Sequence, residues 1–197
     1  MDRNWYTQRE WDRTVGWGKV PRKYAKPESE TDAMTIEQNT IADYHMFFQY
    51  MKGWDAYQSG DFATALREFR PLAEQGLADA QCYLGAMYEN GLGLPRDYKA
   101  VIKWYTLAAE QENALAQNKL GLMYQYGRGV PQDYKTAVKW YRLAAEQGNA
   151  DAQYSLGLMY HEGLGLPQDY KAATKWYTLA AETERDIEQS SDYINAK

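Results

Sequence analysis

The chain has 197 residues and a formal net charge of −5. Residues 1–26 hold seven Lys/Arg against three Asp/Glu, a net charge of +4, which leaves −9 on the remainder. An acidic body disfavours nonspecific nucleic-acid binding outside the basic segment, and the single cysteine, Cys82, excludes an intramolecular disulfide. Because no stretch of sequence is apolar enough to span a membrane, we expect a cytoplasmic protein, or a periplasmic one if a leader has been removed.

Residues 1–35 are predicted to be a basic arm without repeat character. Trp5, Trp11 and Trp17 lie six residues apart among Arg and Lys, a spacing typical of neither a helix nor a strand. Three tryptophans can bury a large apolar area, and the positive charge complements the acidic body. We therefore predict that the arm docks through these tryptophans, on the chain's own repeats or on a partner. A disordered tail is the alternative.

Residues 78–182 superimpose on themselves at a spacing of 36 residues without a gap. The recurring positions are Gln81/Gln117/Gln153, Gly85/Gly121/Gly157, Tyr88/Tyr124/Tyr160 and the pairs Trp104-Tyr105, Trp140-Tyr141 and Trp176-Tyr177. A period of this length is typical of stacked repeats, in which each unit buries its apolar face against its neighbours. The repeat therefore predicts an all-α solenoid and favours binding over chemistry.

Each unit is predicted to be a helix, a glycine loop and a second helix. In the second unit, residues 116–124 place apolar side chains at helical spacing, and the glycines and proline of residues 127–131 end that helix. Asp133 is the predicted N-cap of the next helix. Gly121 lies inside the first helix, where glycine costs about 1 kcal/mol relative to alanine. We interpret this repeated glycine as a point where another helix backbone passes too closely for a side chain.

These residues resemble the Sel1-like repeat, a relative of the tetratricopeptide repeat. The match is Ala-x-Ala-Gln-x-x-Leu-Gly-x-x-Tyr, Gly-x-Gly, Asp-Tyr-Lys, Trp-Tyr and Leu-Ala-Ala-Glu in residues 78–182. Upstream, residues 53–76 look like one tetratricopeptide unit. The resemblance implies a right-handed α/α superhelix of about four helix pairs, with an irregular N-terminal arm and a C-terminal capping helix. The implied segments are the arm 1–35, a first helix pair 36–77, repeats 78–113, 114–149 and 150–185, and a cap 186–197.

Several patterns invite a catalytic or ligand-site interpretation that the repeat explains better. The Gly-x-Gly loops follow helices rather than strands, so they indicate turns and not phosphate loops. The Trp-Tyr pairs recur at one position of every second helix, which favours packing over an aromatic cage. Cys82 and His161 fall two repeats apart, too far for nucleophile activation. The dispersed His and Cys match no metal-ligand spacing. We predict no catalytic residue, no metal site and no cofactor.

By the resemblance, the exposed positions of the first helices line a concave groove that holds a protein or peptide partner. At the N-terminal end these residues are aromatic, and such residues are favoured binding anchors; packing beneath the preceding segment as a cap is the alternative. The predicted partner-binding residues of the groove are Phe47, Tyr50, Trp54, Tyr57, Asp79, Cys82, Glu89, Asn118, Leu122, Gln125, Tyr126, Tyr154, Leu158 and His161.

The predicted function is therefore a noncatalytic adaptor, or an accessory subunit of a bacterial complex, that binds a protein partner through the groove and through the arm. One alternative is an enzyme or ligand-binding protein that uses the groove for a small molecule or a cell-wall peptide. Some Sel1-like proteins are linked to cell-wall peptides, but that group carries a pair of cysteines in each repeat, which this chain lacks. A second alternative is an accessory subunit of a nucleoprotein complex whose basic arm touches nucleic acid, with an affinity that falls as salt rises.

Overall fold

The computed structural model describes the backbone of residues 30–195 and the side chains of residues 44–186. The predicted contacts of Trp5, Trp11 and Trp17 lie outside the described residues. The chain divides into two compact units, residues 1–52 and 53–197. Helix α1, Glu30–Ser59, runs through the division and begins within the segment predicted as the arm.

Every regular element in residues 30–195 is a helix. After α1, the helices are α2 (Phe62–Glu74), α3 (Ala78–Asn90), α4 (Tyr98–Glu110), α5 (Ala114–Tyr126), α6 (Tyr134–Glu146), α7 (Ala150–Glu162) and α8 (Tyr170–Asn195). We call α3, α5 and α7 the first helices of the three repeats, and α4, α6 and α8 the second helices. Each helix from α2 onward packs against the next along the chain, and α5 also contacts α7. This succession of packed helix pairs is an α/α solenoid, as the sequence predicted.

The turns within each repeat use the capping residues that the sequence supplies. Asp133 accepts hydrogen bonds from the backbone N–H groups of Lys135 and Thr136, which confirms it as the N-cap of α6. Gly127 ends α5 in the left-handed conformation, with φ of 65°, and donates its N–H to Met123. The caps of the first helices were not predicted. Asn113 caps α5 by accepting from the N–H of Ala116, and Asn149 caps α7 in the same way.

The glycine inside each first helix makes room chiefly for a side chain rather than for a backbone, which corrects that interpretation; at Gly157 a backbone oxygen, that of Ala173, also lies 3.3 Å from the added Cβ. A Cβ placed on Gly85 would lie 2.7 Å from two ring carbons of Tyr105, on the second helix of the same repeat. Gly121 and Gly157 face Tyr141 and Tyr177 in the same way. The recurring glycine and the recurring tyrosine are therefore two halves of one contact.

A buried glutamine in each first helix links the helices on either side of it. Gln81 donates its amide to the carbonyl oxygen of Ala73 at the end of α2 (3.1 Å) and accepts from Gln111 at the end of α4 (2.8 Å). The next repeats have the same arrangement, with Gln117 between Ala109 and Gln147, and Gln153 between Ala145 and Thr183. We call these contacts the glutamine links.

The aromatic pairs of the second helices divide between core and surface. Tyr105 and Tyr141 are fully buried among alanines and aliphatic residues of adjacent helices, and Trp104 is nearly so. Trp140 packs half-buried against the same cores, and Trp176 and Tyr177 of the third repeat are half-buried. At the C-terminal end, residues 186–195 continue α8 without a break rather than forming a separate helix.

Candidate protein-binding surface

The exposed side of the first helices forms the candidate surface, which we call the first-helix face. On α5 it consists of Leu115, Leu122 and Tyr126, spaced seven and four residues apart and thus on one side of the helix. Leu115 and Tyr126 are exposed, and the Arg128 guanidinium lies 5.3 Å from the Tyr126 ring centroid. Leu122 is half-buried against the core that the second and third repeats share. The first-helix face therefore offers apolar and aromatic contacts to solvent near the middle of the array.

Equivalent positions in the three repeats carry different side chains. Thirty-six residues before and after Leu115 stand Asp79 and Asp151, and the positions equivalent to Tyr126 are Asn90 and Glu162. Leu115 was not among the predicted site residues, although alignment of the repeats gives it the same position as Asp79, which was. In the first helices, the glutamine and glycine of the core are constant, whereas these two exposed positions vary, so the face differs from repeat to repeat.

The predicted site residues separate by exposure. Asp79, Tyr126, Tyr154 and His161 are exposed, and Glu89, Leu122 and Leu158 are half-buried. Three others were predicted to be exposed and are buried, which corrects that part of the prediction: Cys82 at 2%, Asn118 at 3% and Gln125 at 6% exposure.

Burial of Cys82 results from the stacking of repeats. Cys82 packs into a cluster that includes Leu120 and Met123 of the next first helix. Burial raises the pKa of the Cys82 thiol to about 12, so the thiol is protonated at neutral pH and poorly reactive. The Asn118 Oδ1 atom is buried without a hydrogen-bond partner in the described part of the chain. Tyr154 occupies the equivalent position in the third repeat and is 59% exposed.

Glu89 and Gln125 accept hydrogen bonds from the second helices. The Tyr105 hydroxyl donates to the Glu89 carboxylate at 2.7 Å, and the Tyr141 hydroxyl donates to the Gln125 side-chain oxygen. Burial, followed by the negative charge of Glu89, raises the pKa of Tyr105. The sequence signal was available in the repeat: a polar residue 16 positions before each of these two tyrosines.

Aromatic residues at the start of the 53–197 unit form a packed cluster. Tyr83 of α3 stacks on Phe69 of α2, with ring centroids 5.4 Å apart, and contacts Trp54 and Tyr57 of α1 at 5.1 and 5.4 Å. Phe69 is fully buried, while the other three are half-buried. Trp54 and Tyr57 thus contribute to the packing of three helices and keep part of their surface exposed.

Phe47 and Tyr50 belong to the other unit, residues 1–52. Phe47 is exposed and contacts Phe48 edge to face, with ring centroids 5.9 Å apart. Tyr50 is half-buried. Their assignment to the same binding surface as the repeats stays a prediction.

Charge is distributed unequally between the two helix types. The first helices α3, α5 and α7 contain four carboxylates and one lysine, a net charge of −3. The equivalent 13-residue stretches of the second helices contain seven Lys/Arg and three Glu, a net charge of +4. The first helices as a whole are therefore negatively charged, although the Arg128 guanidinium lies beside Tyr126.

The described residues hold no cluster of three or more His, Cys, Asp or Glu side chains that suits a metal ion. Cys82 lies in the core between the first two repeats, while the ring of His161 contacts Tyr170 at 5.3 Å. Within the described helices, none is both long and apolar enough to cross a bilayer.

The paired helices, the left-handed glycine at the end of each first helix and the glutamine links define a helical repeat protein. The Sel1 repeat family model matches residues 78–113, 114–149 and 150–182. The chain belongs to the Sel1 repeat family. Proteins of this family are generally noncatalytic and act as protein-interaction scaffolds.

Solved structures show the same fold. A Sel1 repeat protein from Oxalobacter formigenes is 37% identical, with a TM-score of 0.65, over 68% of this chain and 55% of that one. The protective antigen c5321 of uropathogenic Escherichia coli is 41% identical, with a TM-score of 0.67, over 74% of this chain and 32% of that one. The chain thus spans about half the length of the first and a third of the second. Helicobacter pylori cysteine rich protein B shares the fold at 21% identity and a TM-score of 0.50, over 62% of this chain and 88% of that one. A comparison with curated protein sequences gives no match.

Proposed function

We propose that this chain is a noncatalytic adaptor or accessory subunit of a bacterial complex, and that it binds a protein partner through the first-helix face. The observation that carries the proposal is a contrast within the first helices, between core positions that are constant and the exposed positions of Leu115 and Tyr126, which vary. Gln117, Gly121 and their equivalents maintain the array in every repeat, whereas Leu115 and Tyr126 are peculiar to one repeat.

The exposed residues of α5 are of the kind that serve as contacts. Tyrosine combines a large apolar ring with a polar hydroxyl and loses little conformational entropy on binding. Tyr126 is 55% exposed and Leu115 38% exposed on the same side of the helix. Half-buried Leu122 between them makes the apolar strip continuous. A partner that covers this strip removes it from water, which stabilises the complex.

The test is affinity capture from lysate of the source organism with the full chain as bait. The double variant Leu115→Ser/Tyr126→Ala changes two exposed side chains and should preserve the fold, as judged by circular dichroism. We expect it to lose the proteins that the unmodified chain retains specifically. The matched control is Leu143→Ser/Tyr98→Ala, which changes two exposed residues of the second helices. Retention of every partner by the first double variant contradicts the proposal.

A further inference from the structure

The third repeat ends the first-helix face with an aromatic and acidic site. We propose that the Tyr154–Tyr177 ring pair and Glu162, which lies two turns (about 12 Å) farther along α7 than Tyr154, bind a basic peptide segment of a partner through its lysine or arginine side chains. This inference rests on the proposed function and names the chemistry of the partner at one end of the face.

Tyr154 is the first component of the site. Its equivalents in the preceding repeats, Cys82 and Asn118, are almost fully buried, whereas Tyr154 is 59% exposed. The Tyr154 ring is held by Tyr177 on α8, with centroids 5.2 Å apart and ring planes inclined at 44°. A large side chain thus stands where the other repeats have small ones, and a second ring fixes its position.

Tyr177 differs from its equivalents in its hydroxyl group. Tyr105 and Tyr141 are fully buried and donate to Glu89 and Gln125. Tyr177 is half-buried, and its hydroxyl has no hydrogen-bond partner among the described residues. The acceptor position is occupied by His161, whose ring contacts Tyr170 instead. The hydroxyl oxygen and the exposed part of the Tyr177 ring are therefore available to a ligand.

Glu162 supplies the negative charge. It is exposed, and no ion pair occupies its carboxylate in the described part of the chain. Its charge acts on Tyr177: burial, then the neighbouring Tyr154 and Glu162, raise the pKa of the Tyr177 hydroxyl. Helix α7 carries Asp151 as a second carboxylate and no Lys or Arg. The helix thus provides two carboxylates without a cation of its own.

These features together select a cation. The faces of aromatic rings attract Lys and Arg side chains, a carboxylate pairs with them, and a phenol oxygen accepts their hydrogen bonds. An acidic segment meets repulsion from Glu162 and Asp151, and from the net −3 charge of the first helices. A basic peptide is therefore the occupant that the charge of the first helices favours.

The probe is a library of random 12-residue peptides displayed on phage. Peptides are selected on the full chain and counter-selected on the double variant Tyr154→Asn/Glu162→Gln, in which asparagine is the residue found at the equivalent position 118. We expect the surviving peptides to be enriched in Lys or Arg. The inference is overturned if the selected peptides are not enriched in Lys or Arg, or if no peptide binds the full chain better than the double variant.

Affinities of a selected peptide, measured by fluorescence anisotropy, give the second readout. Tyr154→Asn and Glu162→Gln should each weaken binding by about two- to fivefold, the range expected for an exposed cation–π or ionic contact. Replacing the peptide's basic residue with alanine should remove the effect of Glu162→Gln. The control Glu146→Gln makes the same charge change on α6 and should leave affinity unchanged.

The outcomes separate this inference from the proposed function. If Leu115→Ser/Tyr126→Ala abolishes partner capture while Glu162→Gln affects no peptide, the binding face stands and the cation site is wrong. If Glu162→Gln weakens peptide binding while partner capture is insensitive to Leu115 and Tyr126, the cation site stands and the central part of the face is wrong.

Discussion

The glutamine links make a quantitative prediction at Gln117, which is 3% exposed. Its amide donates to the Ala109 carbonyl oxygen at 3.1 Å, and its side-chain oxygen accepts from Gln147 at 2.8 Å. Gln117→Ala removes both hydrogen bonds, at about 1 kcal/mol each, and at least one buried methylene, at about 0.8 kcal/mol. The Ala109 oxygen keeps a second donor, the N–H of Glu112, so no larger desolvation cost is added. We expect the free energy of unfolding to fall by about 2–3 kcal/mol.

The measurement is urea unfolding monitored by circular dichroism. The slope of the unfolding free energy against urea concentration is compared between variants. For a chain of this size, the loss corresponds to a decrease in Tm of about 5–10 °C. Gln147→Ala is the matched control, because Gln147 is exposed and its removal breaks the bond to the Gln117 side chain and a longer, exposed bond to the Leu143 carbonyl oxygen (3.4 Å). We expect about 0.5–1.5 kcal/mol. A Gln117→Ala variant within about 0.5 kcal/mol of the unmodified chain, or one less damaged than Gln147→Ala, refutes the reasoning.

Two further predictions concern the contact between the first and second helices. Gly85→Ala should lower the free energy of unfolding, measured in urea, by up to about 2 kcal/mol. Crowding of the Tyr105 ring costs about 1–3 kcal/mol, which exceeds the gain in helix propensity of about 1 kcal/mol. A stabilised variant would show that the ring moves aside. The pKa of Tyr105 is raised in the folded chain. The stabilisation that its protonated hydroxyl gives the folded state is therefore complete below the unfolded phenol pKa, about 10, and is lost as pH rises above that value. Tyr105→Phe should therefore lessen the decline in urea midpoint between about pH 9 and pH 11, and an unchanged decline contradicts this.

The helices of the repeats were predictable because their signals are local. Asp133 and Gly127 act through backbone groups a few residues away, and the period of 36 residues places the same elements twice more. The role of Gly121 was not predictable in detail. A glycine inside a helix indicates a close approach, but the sequence does not say whether a backbone or the Tyr141 ring makes it.

Exposure of the site residues was less predictable because it depends on whether another repeat stacks on each one. Cys82 and Tyr154 occupy the same position of the motif, yet the first is covered by the next repeat and the second is not. Gln125 presents the same problem, since its side chain is bound by the Tyr141 hydroxyl. A solenoid motif specifies the direction of a side chain, whereas the neighbouring repeat decides whether solvent reaches it.

The glutamine links also bear on how the length of this protein can change. Each link joins residues eight positions back and thirty positions ahead, so it crosses only one boundary between repeats. Insertion or deletion of 36 residues, or a multiple of 36, therefore gives a new junction with the same donors and acceptors, whereas another length between residues 109 and 147 separates Gln117 from its partners. Thr183 replaces glutamine as the donor within the third repeat, so a duplicate of that unit would keep the bond across its boundary and differ only in this internal one.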